Sequence, residues 1–154
     1  MKIFFAYPFT QLIESKTGLC DDTTVGFINT VIRKFNADGH SVFSAHLREK
    51  FGEEIMDAKT ATRLDYDEMV TTDMVVAFPG QFPISGGVHV EMGWASALKK
   101  PIVLLLHAEQ QYSPMIEGLH TVTNVKYIRF NHNYNENDII SLIFNSVDEM
   151  MVAL

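Results

Sequence analysis

The sequence has few of the features that mark secreted, membrane-bound or disulfide-linked proteins. Its 154 residues include one cysteine, Cys20, which excludes an intramolecular disulfide framework and is typical of a reducing compartment. No apolar run reaches the roughly 18 to 20 residues that a membrane-spanning helix needs. The first apolar stretch is also too short for a signal peptide. We therefore expect a cytoplasmic protein without a membrane partner.

Positive charge is scarce as well. Twelve lysines and arginines stand against nineteen aspartates and glutamates, which gives a formal net charge of −7 without a long basic run. Binding a nucleic-acid polymer requires a basic surface, so we expect no such partner, although a small nucleotide needs only a few local donors. The spacing of His, Cys, Asp and Glu suggests no metal site. We expect neither a metal nor a cofactor.

What the sequence does contain is a regular alternation of apolar strands and amphipathic helices. Hydrophobic residues make up 47% of the chain, and without a repeat or a linker this predicts a single domain over residues 1–154. The strands are continuous apolar runs, as in a parallel sheet that is buried on both faces. They are expected at residues 3–6, 41–45, 73–78, 102–106 and 125–130. The helices are expected at 61–71, 87–99 and 136–152, after a first helix that Asp22 caps and Asp38-Gly39 ends.

This pattern predicts an α/β fold of the flavodoxin-like or Rossmann-like type, with a parallel five-stranded sheet and helices on both faces. In such sheets the ligand lies beyond the carboxyl ends of the strands. The segments at those ends are residues 7–21, 46–60, 78–87 and 107–120.

The third of these segments leads into the stretch 85-SGGVHVEMGW-94, where Ser85, Gly86 and Gly87 open a helix. A helix N-terminus presents unpaired N–H groups and a partial positive charge, and glycines let an anion approach the backbone closely. The alternative is an ordinary serine cap on a flexible turn, because short glycine motifs often have no ligand.

Two carboxylates are the candidate reactive groups. Glu91 follows the glycines on a stretch that is otherwise mostly apolar, where a buried carboxylate needs a partner or a raised pKa. Asp65 lies on the helix that precedes the 73–78 strand. Each could instead be a solvated carboxylate on the outer face of an amphipathic helix.

Taken together, Asp65, 73-DMVVAFPG-80 and 85-SGGVHVEMGWA-95 resemble the nucleoside 2-deoxyribosyltransferase superfamily over residues 2–119. The nucleoside 5′-monophosphate N-glycosidase branch, which includes deoxynucleotide and cytidine-monophosphate hydrolases, is the most similar. That branch carries S-x-G-V-x-x-E-x-G, and a later S-x-M-I-x-G segment that 113-SPMIEG-118 matches.

The resemblance implies a role for each matching residue. Glu91 would be the nucleophile, Asp65 the general acid, and Ser85 and Ser113 phosphate ligands. In the family the second serine reaches the substrate of the neighbouring subunit. We therefore expect a homodimer or a higher homo-oligomer with a shared active site, and a nucleoside 5′-monophosphate or nucleoside as substrate.

The sequence departs from the family pattern in its first strand and in the loop that follows it. Phe4 stands where transferases and deoxynucleotide hydrolases have a tyrosine, which removes a hydroxyl near the sugar; Tyr7 could substitute for it. The loop 7-YPFTQ-11 lacks the expected basic residue. Arg48 could supply that charge, or could form a surface ion pair with Glu49.

Several aromatic residues could stack on the base or belong to the core: Phe9, Phe78, Phe82 and Trp94. The resemblance implies an N-glycosidase that hydrolyses a (deoxy)ribonucleoside 5′-monophosphate through a covalent intermediate on Glu91. Two alternatives remain: a 2′-deoxyribosyltransferase that exchanges bases between deoxynucleosides, and a non-catalytic nucleotide-binding module.

Overall fold

Five parallel strands form the centre of the protein, in a computed structural model that describes residues 1–80 and 84–152. The strands are β1 (Lys2–Ala6), β2 (Ser41–Phe43), β3 (Met74–Ala77), β4 (Ile102–His107) and β5 (Val125–Phe130). Their order in the sheet is β2-β1-β3-β4-β5, and each neighbouring pair is parallel. The order reverses between β1 and β3, which is where flavodoxin-like sheets open a crevice for a ligand. The predicted fold class is confirmed.

Helices cover both faces of the sheet. They are α1 (Asp22–Ala37), α2 (Ala45–Arg48), α3 (Ala58–Thr71), α4 (Gly86–Ala97), α5 (Pro114–Glu117) and α6 (Glu136–Val152). The long helices α1 and α6 pack on one face, and α3 and α4 pack on the other. Along the described ranges, no helix combines the length and the apolarity that crossing a membrane requires.

The alternation of side chains along β1 separates two buried clusters. Ile3 and Phe5 face α1 and α6, whereas Phe4 and Ala6 face α3 and α4. From the helices, the first cluster includes Ile28, Val31, Phe35, Ile140, Ile143 and Val147. The second includes Met69, Val88, Met92 and Ala95. The central strands β1, β3 and β4 are buried on both sides, which explains their continuous apolar sequences.

Local hydrogen bonds shift several predicted boundaries. Asp21, not Asp22, caps α1, because its carboxylate accepts from the Thr24 backbone N–H at 2.9 Å. Asp57 caps α3 in the same way, so that helix begins three residues before the predicted start at 61. The predicted end of the first helix is confirmed, with Gly39 at φ +81°.

The loop after β1 is held against the segment after α2. Ile13 pairs with Cys20 across an antiparallel bridge, and the Cys20 N–H donates to the Phe51 carbonyl at 3.0 Å. Gly52 sits against this loop at φ +112°, and a Cβ there would lie 2.4 Å from the Gly18 carbonyl oxygen. The close approach of two backbones therefore requires glycine at position 52.

Substituting Gly52 by alanine should lower the free energy of unfolding by about 1–3 kcal/mol, because the backbone is strained and the new Cβ strikes a carbonyl. Gly26→Ala is the matched control, since Gly26 is exposed inside α1 and an added Cβ meets nothing within 4 Å. It should raise stability by about 0.5–1 kcal/mol. Urea unfolding of both variants measures the difference, and equal effects would contradict the contact between the loops.

Candidate active site

The helix that carries Glu91 begins at Ser85. The Ser85 hydroxyl accepts from the Val88 backbone N–H at 3.3 Å, which fixes the first turn of α4. Val88 and Met92 then anchor the helix to the sheet, and both are almost fully buried. Glu91, between these anchors in the sequence, is half-buried rather than fully solvated.

Asp65 lies on α3, which packs beside α4, and it belongs to a buried group of charges. The Arg48 guanidinium donates from Nη1 to the Asp65 carboxylate and from Nη2 to the Glu49 carboxylate, the latter at 2.6 Å. The three side chains are only 12%, 15% and 6% exposed, in the order Arg48, Asp65, Glu49. One guanidinium thus holds two carboxylates in a largely dry environment.

The electrostatics of Glu91 and Asp65 are linked. The pKa of Glu91 is raised to about 8, by burial first and then by the negative charge of Asp65, against the opposing effect of Arg48. The pKa of Asp65 is also raised, by burial first and then by the charges of Glu49 and Glu68, against the opposing effect of Arg48. Neighbouring charges therefore favour or oppose the ionisation of each carboxylate, and the protonation of Glu91 depends on the charge of Asp65.

The position of Arg48 corrects one sequence-based interpretation. Its ion pair with Glu49 exists, but the pair is buried rather than at the surface. Both terminal nitrogens are engaged by carboxylates, and the buried Nε has no hydrogen-bond partner among the described residues. Arg48 is therefore placed to control the carboxylates, and its charge is already neutralised by them.

The predicted phosphate ligands lie at two helix starts. Ser85 is buried, while Gly86 and Gly87 are exposed and a Cβ on Gly86 would meet nothing within 4 Å. The first turn of α4 is therefore open to a bulky anion. Ser113 caps α5 by accepting from the Met115 N–H at 3.3 Å and is itself exposed.

Residues of the first strand and its loop separate into two groups. Phe4 is 1% exposed and packs against Phe43, with ring centroids 5.0 Å apart, in the core beneath α3 and α4. Phe9 lies on the loop, 4.9 Å from the ring of His46. Tyr7 instead packs against the cluster of α1 and α6. Tyr7 and Phe4 thus pack on opposite faces of the sheet, and the placement of Tyr7 does not support its substitution for a tyrosine at position 4.

The other described aromatic candidates, Phe78 and Trp94, pack in different parts of the fold. Phe78 packs with Tyr7 on the α1 and α6 side, at a centroid distance of 5.3 Å. Trp94 makes an edge contact with Tyr66 between α4 and α3, at 5.4 Å. Phe82 lies outside the described residues.

Two residues of the site region were missed as functional candidates. Glu49 was predicted only as a surface partner, yet its second carboxylate oxygen also accepts from the Met56 N–H at 3.2 Å. His46 is fully buried, and its Nε2 donates to the Pro8 carbonyl at 2.9 Å. Both residues belong to the segment 46–60 that follows the second predicted strand, and no periodic pattern marks either of them.

These features define a flavodoxin-like α/β domain whose candidate site is a pair of interacting carboxylates beside an open helix N-terminus. In the described parts of the chain, no group of three or more His, Cys, Asp or Glu residues is placed to hold a metal ion.

Comparison with known proteins identifies the family. The profile of the nucleoside 2-deoxyribosyltransferase family matches residues 20–138, and the chain belongs to this family. Comparison with curated protein sequences gives no match.

Three similar solved structures carry related functions or the same fold. A CMP N-glycosidase from Clostridium botulinum, BcmB, is 32% identical with a TM-score of 0.71, over 95% of this chain and 99% of that one. The solution structure of BlsM is 35% identical with a TM-score of 0.75, over 97% and 93% of the two chains. A 2-deoxyribosyltransferase from Bacillus psychrosaccharolyticus is 21% identical with a TM-score of 0.59, over 91% and 90%, and shares the fold.

The raised pKa of Glu91 makes stability depend on pH in a defined direction. Between pH 4.5 and about 8 the folded protein keeps a proton that the unfolded chain has lost, so ionisation destabilises the fold as pH rises. Glu91→Gln cannot ionise, and its stability relative to the wild type should increase from pH 5 to pH 8 and then level off. Urea unfolding across this range measures the effect. The exposed Glu53→Gln should show the same dependence of stability on pH as the wild type. If the stability of Glu91→Gln also ran parallel to that of the wild type, the raised pKa of Glu91 would be contradicted.

Removing the Arg48 guanidinium should lower the free energy of unfolding, because its two buried carboxylate partners lose their cation. Arg48→Met leaves Glu49 and Asp65 without their shared cation, and we expect a loss of about 3–5 kcal/mol in the free energy of unfolding at neutral pH. Arg63→Met removes an exposed pair with Asp67 on α3 and should change stability little. Similar losses in both variants would contradict the special role of Arg48.

Proposed function

We propose that this protein is an N-glycosidase that hydrolyses the bond between base and sugar in a nucleoside 5′-monophosphate, releasing free base and sugar 5-phosphate. The observation that carries the proposal is the pair of half-buried, electrostatically coupled carboxylates, Glu91 and Asp65. The similarity to a CMP N-glycosidase over nearly the whole of both chains supports the same chemistry.

The proposed reaction is a double displacement at the anomeric carbon. The Glu91 carboxylate attacks C1′ and forms a glycosyl ester, while the C1′–N bond breaks and its electron pair leaves with the base. Asp65 donates a proton to the departing base. Water then attacks C1′ of the ester and gives its proton to Asp65, which restores the Glu91 carboxylate.

The number of protons on Glu91 and Asp65 before substrate binds is consistent with this order of reaction steps. At neutral pH a Glu91 with a pKa of about 8 holds one proton, while Asp65 faces the cationic Arg48. The reactive arrangement needs the same single proton on Asp65 instead, so the pair carries the correct charge and only the position of the proton changes. Arg48 supports the ionised form of whichever carboxylate lacks the proton.

The open start of α4 suits the phosphate of the substrate. The exposed Gly86 and Gly87 present backbone N–H groups where the helix dipole favours an anion. A phosphate held there lies about one and a half helical turns before Glu91, and its binding energy can orient the sugar. Phe4 in place of the family tyrosine is a feature shared with cytidine-monophosphate hydrolases, so CMP is the first substrate to test.

Exposed apolar side chains beside the second serine support a shared active site. Met115 is 81% exposed next to Ser113, and Val90, adjacent to Glu91 in the sequence, is 51% exposed. Such side chains are suited to contact with a second copy of the chain. We propose a homodimer in which Ser113 of each subunit reaches the phosphate at the other site.

Base exchange is the second candidate function, and membership of the 2-deoxyribosyltransferase family favours it. A transferase would resolve the glycosyl ester with a second base rather than with water. Incubating a deoxynucleoside with a different free base separates the two reactions, because only a transferase forms the exchanged nucleoside.

Glu91→Gln should abolish release of base from CMP, because an amide cannot form the glycosyl ester. Asp65→Asn should lower the rate about 10²–10⁴-fold, the usual contribution of a general acid. Chromatography of free base after incubation measures both. The exposed Glu53→Gln serves as the control with unchanged rate, and near-normal turnover by Glu91→Gln would rule out the proposed nucleophile.

Ser85→Ala and Ser113→Ala should raise KM for nucleoside 5′-monophosphates by at least about tenfold, because each loses a hydrogen bond to a charged phosphate. KM for the corresponding nucleosides should change little. Steady-state kinetics on CMP and cytidine measure the ratio. The control is Ser141→Ala, whose hydroxyl donates only within its own helix, to the Asn137 carbonyl at 2.8 Å.

Mixing two variants tests the shared site directly. A dimer of one Ser113→Ala subunit and one Glu91→Gln subunit contains one complete site and one that lacks both groups. Adding the inactive Glu91→Gln protein to Ser113→Ala should therefore increase the rate at low CMP concentration. A decrease in proportion to dilution would mean that Ser113 acts within its own subunit or not at all.

A further inference from the structure

A second cavity lies on the side of the sheet opposite to Glu91. It has a volume of about 280 Å³ and opens between the N-terminal ends of α1 and α6, beyond the carboxyl ends of the strands. Its walls include four aromatic rings from four separate parts of the chain, Tyr7, Phe27, Phe78 and Phe130. Neither Glu91 nor Asp65 lines it.

The four rings form a continuous aromatic wall. Successive centroid distances are 5.7 Å from Phe27 to Tyr7, 5.3 Å from Tyr7 to Phe78, and 5.6 Å from Phe78 to Phe130. All three pairs are tilted rather than coplanar, so ring faces and edges both point towards the enclosed space. Aromatic faces attract planar rings and cations.

The polar groups at the cavity define the charge of a suitable ligand. The Tyr7 hydroxyl has no hydrogen-bond partner in residues 1–80 and 84–152, and Glu136 is the charged side chain among the described residues that line the space. The pKa of Tyr7 is raised to about 12, by burial first and then by the negative charges of Asp21 and Glu136. The hydroxyl therefore stays protonated, and the side-chain charges that act on it are negative.

We propose that this cavity is a second ligand site, for a small planar ring that carries a cationic or N–H-donating edge, of the amidine or aminopyrimidine class. The ring would pack against the aromatic wall, and its donor edge would face the Glu136 carboxylate and the Tyr7 hydroxyl. A phosphate group suits the cavity less well, because it would meet the Glu136 carboxylate with no cationic side chain among the described lining residues.

The position of the cavity connects it to the candidate active site. Tyr7 and Phe78 directly follow β1 and β3, and the loops that begin there lead to Phe9 and to the start of α4. A ligand that contacts both rings therefore lies at the carboxyl ends of β1 and β3, where the chain leaves the sheet towards Phe9 and towards α4. The proposal that the cavity binds a ligand does not depend on whether Glu91 is a catalytic residue.

Benzamidine and benzoate are matched probes, because they share a planar ring and differ in the sign of their charge. Calorimetric titration should detect benzamidine binding, whereas benzoate should bind at least tenfold more weakly. Glu136→Gln should weaken benzamidine binding by about two- to fivefold, as expected for a partly solvated ion pair. Asp148→Asn, an exposed carboxylate at the other end of α6, should leave it unchanged.

Methyl NMR locates the bound probe. Benzamidine should shift the signals of Leu105 and Ile139, which line the cavity, and leave those of Val88 and Met92 beside Glu91 unchanged. The half-buried Ile139→Trp should fill the space and reduce binding at least tenfold, with retained folding checked by thermal unfolding. Glu91→Ala should bind benzamidine as the wild type does.

Three results would overturn the proposal. The first is equal binding of benzoate and benzamidine, which would remove the charge argument. The second is a set of shifts at Val88 and Met92, which would place the probe at the Glu91 carboxylate. The third is the absence of any benzamidine binding to the folded wild-type protein.

Discussion

The site depends on one arginine that keeps several carboxylates in a nearly dry environment. Without a cation, burying Asp65 and Glu49 side by side would cost several kcal/mol for each charge. Arg48 compensates for this with one hydrogen bond to each, and its guanidinium lies 5.7 Å above the Phe43 ring. Glu91 lies in the same group without an ion pair of its own, and its pKa is raised by burial first and then by the charge of Asp65, against the effect of Arg48. Asp65 is paired directly with Arg48. The asymmetry between the two proposed reactive carboxylates follows from that single placement.

The loop after β1 is tied to the same arginine through His46. The histidine is buried on α2, two residues before Arg48, and its Nε2 donates to the Pro8 carbonyl. A carbonyl only accepts, so Nε2 carries the hydrogen and Nδ1 is left to face the Ser44 hydroxyl at 3.4 Å. Burial lowers the pKa of His46 to about 4, against the raising effects of the Pro8 carbonyl and Glu49. The ring therefore remains neutral near neutral pH. Its hydrogen bond to Pro8 holds the loop after β1 against α2.

The architecture was predictable because it follows from local patterns, whereas the charge cluster depends on contacts between distant segments. Continuous apolar strands and capped helices predicted the parallel sheet, and the spacing from Ser85 to Glu91 placed that carboxylate one and a half turns into a helix. Arg48 and Asp65 are seventeen residues apart on different helices, so no periodicity brings them together. The cap of α1 was predicted wrongly because Asp21 and Asp22 are adjacent and either could cap the helix. The hydrogen bond from the Thr24 N–H identifies Asp21 as the cap.

The two faces of the sheet give the protein two different chemical environments at one edge. Side chains alternate along β1, so positions 4 and 7, an odd number of residues apart, point to opposite faces. Phe4 therefore underlies the carboxylates, and the hydroxyl of Tyr7 is placed in the cavity of α1 and α6. A tyrosine at position 4 would put a polar group into a core position that is 1% exposed, beside the ring of Phe43. With phenylalanine, the sugar side of the proposed site has no hydroxyl from this strand, and recognition there must come from the charged groups on α2, α3 and α4.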